Sequence, residues 1–175
     1  MTYHRVVSKK ELDGEYIQPG MYVTAETFAM QMQFIKQYFS VISFAELLRL
    51  WSEQQWSLEQ RYCVVTFDDG WLDNYVHALP VLRRFAVPAT VFLPTTFVGT
   101  AKWFWPEQIA WLCRHTACHS EDERRRVAEV LKKKHTWLIS VEASICAGDT
   151  EAIIEGCKAL QQDQIDTFIT EWAVH

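Results

Sequence analysis

Ten residues constrain this chain more than any others: Tyr62-Cys63-Val64-Val65-Thr66-Phe67-Asp68-Asp69-Gly70-Trp71. The run up to Phe67 is apolar, β-branched or aromatic, the composition of a strand buried on both faces. It stops at two adjacent carboxylates and a glycine, which strands disfavour, so the strand is expected to end near Phe67. Asp68 and Asp69 then project from its C-terminal mouth, where α/β architectures place ligands and catalytic groups. Neighbouring side chains on an extended segment point to opposite sides, which gives the two acids different tasks. One can hold a metal while the other acts as base on metal-bound water. The same letters also describe a solvated connection, because Asp-Gly is a common turn and a carboxylate ahead of a helix caps it.

Phosphoryl transfer from a strand-end aspartate, as in haloacid-dehalogenase-like phosphatases, is a weaker alternative. Those enzymes set two aspartates one residue apart, so that both point the same way, whereas Asp68 and Asp69 are adjacent.

The flanking sequence supplies the crossovers that such a strand needs. Thr2 to Val7 reads as a strand and the polar stretch Ser8 to Gly20 as a loop. Thr24 can cap a helix from Ala25 to about Tyr38, with Phe28, Met32, Ile35 and Phe39 at helical spacing. Val41-Ile42 reads as a short strand. Ser43-Phe44-Ala45-Glu46 is a capping box that opens a helix to about Trp51, with Leu47, Leu48 and Leu50 on its apolar side. A helix through Leu72 to Phe85 follows, interrupted or restarted by Pro80, and Ala89 to Leu93 is the next buried strand. Strands alternating with helices imply parallel pairing.

After about Trp105 the character changes. Pro106 suits a first helical turn, with Ile109, Ala110, Leu112 and Cys113 behind it. Ser120-Glu121-Asp122-Glu123 is another capping box, from which Val127, Val130, Leu131, Lys134, Trp137, Leu138 and Val141 trace one face. Gly148-Asp149-Thr150 breaks the pattern. Ile153, Cys157, Leu160, Ile165, Phe168, Ile169 and Trp172 then trace a last stripe, so residues 106–175 read as all helical.

Composition narrows the function classes. A chain of 175 residues, 49% apolar and 14% aromatic, can build one sizeable core. The eight Trp are expected mostly in buried positions. A net charge of −5 without a long basic run disfavours nucleic acid. No apolar run approaches the roughly 20 residues of a membrane span. Five cysteines (Cys63, Cys113, Cys118, Cys146, Cys157) without a C-x-x-C pair suggest reduced thiols. No signal-like segment follows Met1, and with those thiols this implies a cytoplasmic setting.

Thr66-Phe67-Asp68-Asp69-Gly70 resembles the first motif of the polysaccharide deacetylase family (NodB homology, carbohydrate esterase family 4). Tyr3-His4-Arg5-Val6 is similar to the family's opening strand, and Val23 to Phe28 to the start of its first helix. Asn74-Tyr75, Ala78 to Leu82 and Val87 to Leu93 follow its pattern in order, so the resemblance covers roughly residues 3–105. It implies an α/β fold: the parallel-sheet part of a NodB-like (β/α) barrel at 1–105, followed by an all-helical, insertion-like segment at 106–175. It also implies metal-dependent hydrolysis of the acetamide of an N-acetylated polysaccharide or oligosaccharide, giving an amino sugar and acetate.

Carried over by motif, Asp68 is the catalytic base and Asp69 a ligand to a divalent metal, zinc or a similar ion. The family completes its metal site with two histidines of a His-[Ser/Thr]-x-x-His motif, and a histidine near its C-terminus protonates the leaving amine. His115-Thr116-Ala117-Cys118-His119 fits the second motif letter for letter. Pro106 to Arg114 nonetheless reads as continuous helix, with no strand to bring those histidines to the mouth. The expectation is therefore that His115 and His119 are exposed helix histidines, the barrel and metal site are incomplete, and the chain is inactive. The rival reading is a non-catalytic remnant or helical interaction module. Open sheet edges make self-association an expectation. His4, at the mouth end of the first strand, can reach the substrate or be structural, and Trp71 can shield the site or begin the helix.

Overall fold

The alternation of short β-branched runs with capped amphipathic stretches builds parallel strands joined by helices. The structure, a computed structural model, describes residues 1–14, 17–117, 120–134 and 142–174. The chain divides into two compact units, Met1–Thr100 and Ala101–His175.

The first unit opens with β1 (Thr2–Tyr3) and β2 (Arg5–Val7), two halves of one strand that breaks at His4. The polar stretch after it is not all loop, because α1 (Lys9–Gly14) forms there. Ser8 and Glu11 cap it reciprocally, with the Ser8 N–H donating to Glu11 Oε2 at 2.6 Å and the Glu11 N–H to Ser8 Oγ at 3.3 Å. That Ser-x-x-Glu box was legible and outweighed the polarity of the stretch. β3 (Tyr22–Thr24) leads into α2 (Ala25–Tyr38), whose first turn Thr24 caps as expected through the Thr27 N–H. β4 (Ser40–Val41) and α3 (Phe44–Ser52) follow, with Ser43 accepting the Glu46 N–H. Leu50 is the buried residue of α3, while Leu48 faces solvent.

The constraining run divides at Val64 into β5 (Tyr62–Cys63) and β6 (Val65–Asp68). β1 pairs with β6 through Thr2↔Thr66 and Tyr3↔Phe67, and β2 pairs with β3 from Arg5↔Tyr22 to Val7↔Thr24. β4 pairs with β5, and β6 with β7 (Ala89–Phe92) from Val65↔Ala89 to Asp68↔Phe92. All four pairings are parallel, as the βα alternation requires.

Burial corrects two expectations. β6 is buried on one face, by Val65 and Phe67, while Thr66 and Asp68 are part-exposed. β7 is largely open, with Val91, Phe92 and the following Leu93 about half exposed. An apolar run alone does not say whether anything covers both faces.

The core under β6 is Tyr3, Val6, Phe28, Met32, Ile35, Val65, Phe67, Ala78, Leu82 and Val87. Tyr3, Phe28 and Phe67 form its centre, with ring centroids 5.0–5.8 Å apart and mixed edge and stacked geometry. Burial pushes the Tyr3 hydroxyl up to about 12, and it donates to Gln31 Oε1 at 2.8 Å.

The helix expected through Leu72 to Phe85 starts as a wide π-helical turn over Asn74–Ala78 and becomes α4 (Leu79–Phe85). Pro80 cannot donate to a preceding carbonyl and crowds the turn before it, which the wider turn accommodates.

Every regular element among the described residues of the second unit is a helix: α5 (Trp105–Ala117), α6 (Glu121–Lys134), α7 (Glu142–Ala147), α8 (Thr150–Cys157) and α9 (Gln162–Trp172). Its apolar stripes pack on one another, α5 against α8 and α9 and α6 against α7 and α9. Ile109, Leu131, Ile153, Ile154, Cys157 and Phe168 are closed off from solvent. Trp172 Nε1 donates to Thr116 Oγ1 at 3.0 Å, and that hydroxyl donates to Leu112 O at 2.9 Å. Trp137, Leu138 and Val141 lie outside the described residues. Tryptophan burial is overestimated from sequence, since Trp51, Trp56, Trp103 and Trp111 are all substantially exposed. No helix among the described residues is long and apolar enough to cross a membrane.

Candidate active site

β6 carries Asp68 as its last residue, one position beyond the expected stop, in register with Phe92 of β7. On the other side the opening strand follows β6 as far as Tyr3↔Phe67, which brings His4 level with Asp68. His4 Nε2 lies 3.7 Å from Asp68 Oδ2, both side chains being about one-third exposed. That separation is too long for a hydrogen bond. No hydrogen bond to the Asp68 carboxylate is formed among the described residues, so its lone pairs stay open to a water or substrate proton.

Asp69 does not continue the strand. Its φ is +71° and that of Gly70 is +67°, and the Gly70 N–H donates to Asp68 O at 2.9 Å. This three-residue reversal centres on a non-glycine residue at positive φ, a strained conformation that costs about 1–3 kcal/mol. The expectation of two acids on opposite sides of an extended segment is thus replaced by a turn that aims Asp69 separately from Asp68. A Cβ on Gly70 would overlap Leu93 Cδ2, so both φ and space favour glycine here.

Two residues that the sequence left unremarked hold the segments around this turn. Asp73 is buried and accepts from Val6 N at 3.1 Å and from Arg5 Nε at 2.8 Å. The Arg5 guanidinium lies over the Trp71 ring, 4.5 Å from its centroid. Trp71 thus stacks on Arg5, is partly buried, and stands immediately before the helix, its carbonyl accepting the Asn74 N–H at 3.0 Å. An acid just before a helical turn ordinarily reads as a cap, and nothing in its spacing announced a buried ion pair. His77 reaches Glu11 at 2.9 Å. Glu11 is held down at about 2, chiefly by the Ser8 N–H, then by the Ser8 hydroxyl and by His77.

Residues 56–137 match the polysaccharide deacetylase family. YxkH of Bacillus subtilis (strain 168), which carries a polysaccharide deacetylase name, is 34% identical over 56 residues, covering 32% of this chain and 20% of that protein. A de-N-acetylase from Aggregatibacter actinomycetemcomitans is similar at TM-score 0.48 and 21% identity, over 57% of this chain and 38% of that one. The Streptococcus pyogenes deacetylase PplD, solved in complex with acetate, is similar at TM-score 0.45 and 23% identity, over 62% of this chain and 49% of that one. The chain therefore spans a fifth of that curated relative and less than half of either solved chain. The matched stretch begins later than the resemblance read from the motifs and runs further, into the helical unit.

The similarity to polysaccharide deacetylases makes the donors available for a metal the next question. Asp69 offers one carboxylate, and no three His, Cys, Asp or Glu side chains gather into a possible metal site among the described residues. The described residues by themselves do not fit a zinc site, which needs three or four ligands. His115 belongs to α5 of the helical unit, where its Nδ1 lies 3.0 Å from Trp111 O and its ring sits 3.7 Å from that of Trp111. It is exposed there. His119 lies outside the described residues.

Proposed function

We propose that residues 1–105 are the N-terminal part of a polysaccharide-deacetylase-like (β/α) barrel and that residues 106–175 are a helical insertion. The reaction is hydrolysis of the amide carbon–nitrogen bond of an N-acetylated glycan, adding one water to give acetate and an amino sugar. Asp68 is the base that takes the proton of the attacking water. Asp69 is one carboxylate ligand to a divalent metal, zinc being the expected ion, which polarises the acetamide carbonyl when bound. The other ligands and the acid for the leaving amine come from outside the first unit.

The observation that carries this reading is the placement of Asp68. It ends a parallel strand inside the family-matched stretch, part-exposed and with no hydrogen bond to its carboxylate from the described residues. Inactivity of the 1–175 polypeptide alone is part of the proposal, and the rival is a non-catalytic remnant; among the described residues no ligand set gathers around Asp69. Self-association through the exposed edge at Val91, Phe92 and Leu93 is part of the same proposal.

The test compares wild type with Asp68→Asn for acetate release from N-acetylated chito-oligosaccharides with added zinc, alongside amide shifts on adding the oligosaccharide. No release, with Asp68-dependent shifts at residues 68–71, supports an incomplete deacetylase site. Asp68-dependent release overturns inactivity and brings His115 and His119 forward as ligands. Neither release nor shifts sinks the deacetylase reading and leaves the remnant.

A further inference from the structure

The opening strand changes neighbours at the point where the chemistry sits. Up to Tyr3 it pairs with β6, and from Arg5 onward it pairs with β3 on its other edge. The Arg5 N–H reaches Met21 O at 3.1 Å on that β3 edge. Successive residues of a strand turn their N–H groups to alternate edges, so the Val6 N–H faces the edge that β6 has vacated. A buried N–H without an acceptor is costly, and β6 has already turned away at Asp69. The acceptor is Asp73 Oδ1, at 3.1 Å.

We propose that Asp73, clasped by Arg5, is a positioning residue that stands in for the missing strand and so sets the facing of His4 toward Asp68 and the turn at Asp69. Three contacts converge on this role. Asp73 joins Val6 and Arg5, the residues immediately beyond His4, to the chain just past Gly70. Arg5 also stacks on Trp71, the residue after Gly70, so the segment leaving the turn is held to the opening strand at two points. Both charges are largely buried, 13% and 6% exposed at the side chain. A buried pair of this kind adds little net stability over an apolar pair, yet removing one partner strands the other. Its contribution is a fixed geometry. The contrast with Asp68 is chemical: Asp73 has both oxygens engaged and cannot serve as a base, whereas Asp68 has neither engaged by a hydrogen bond among the described residues.

The consequence for catalysis rests on Asp68 and Asp69 being the reacting carboxylates, but the geometry is testable without turnover. The experiment records amide spectra and hydrogen exchange of the ¹⁵N-labelled full chain, with Asp73→Ala, Asp73→Asn and Arg5→Gln variants. Asp73→Ala is expected to speed exchange of the Val6 amide by about tenfold or more. It should also move the resonances of His4, Asp68, Asp69 and Gly70, leaving Ile153 and Ile154 in place. Asp73→Asn, whose amide oxygen can still accept, restores Val6 protection but only part of the shifts. A purely stabilising clasp lowers the melting temperature without moving the folded-state resonances at 68–70. If His4 and residues 68–70 superimpose on wild type in folded Asp73→Ala, the proposal is overturned. Should that variant not fold, Asp73→Asn and Arg5→Gln decide it on the same resonances. Loss of acetate release or oligosaccharide binding is not read here, so failure of the deacetylase reading stays distinguishable.

Discussion

His4 and Asp68 face each other at the mouth of the parallel sheet, Nε2 to Oδ2 at 3.7 Å. The pairing is produced by register: β1 runs beside β6 until His4 is level with the strand's last residue. At this distance the imidazole places a polar group near the carboxylate without occupying its lone pairs. Part-exposed on both sides, the pair is open to solvent beside it.

Gly70→Ala is expected to lower stability by about 1–2 kcal/mol, the cost of an L-residue at positive φ. The overlap with Leu93 is the smaller contribution, because Leu93 is half exposed and its side chain can swing away. Thermal denaturation in wild-type and Leu93→Ala backgrounds checks this. A substitution cost that nearly vanishes in the Leu93→Ala background would show that space, not φ, governs the position.

Asp69→Gly removes a non-glycine residue from φ +71°. It should raise stability by about 0.5–1 kcal/mol while deleting the only carboxylate at that point of the turn. Asp69→Asn should be close to neutral, since Asn tolerates the left-handed region nearly as well. Urea unfolding of both variants provides the measurement, and a destabilised Asp69→Gly would mean the carboxylate itself holds the turn together.

The Glu11 carboxylate, depressed to about 2 by Ser8 and His77, makes a pH-dependent contribution. A folded value below the unfolded one gives stability that is present above the ordinary carboxylate range and lost as pH falls through it toward 2. Glu11→Ala should therefore cost about 1 kcal/mol at neutral pH, the usual worth of a cap, and progressively less below pH 4. Melting temperatures of the two proteins from pH 7 to 2.5 should converge; parallel curves would refute the assignment.

Cys113 and Cys157 are buried, and burial pushes their thiols up to about 11 and about 12. Thiolates do the reacting, so these two should label last with a thiol reagent, after the part-exposed Cys63 and Cys146. Timed labelling with peptide mass analysis gives the order. Early labelling of Cys157 would mean that α8 opens readily from α5.

Several features were determined by local sequence. Thr24, Ser43 and Ser120 start helices because a side-chain oxygen meets orphan N–H groups within the same turn. Asp68 and Asp69 end a strand because acids and glycine break one. The stripe from Ile153 to Trp172 is buried because its spacing matches a helix. Other features required the tertiary structure. The open face of β7, the exposure of Trp51 and the neighbour change at His4 depend on which strands lie alongside, and periodicity carries no information about that. Asp73 is the clearest case. In sequence it is an acid ahead of a helix, and only the departure of β6 at Asp69 leaves Val6 an unpaired N–H for it to accept. A buried donor must be satisfied by whatever side chain the fold brings within reach, and that reach spans more than sixty residues of chain here.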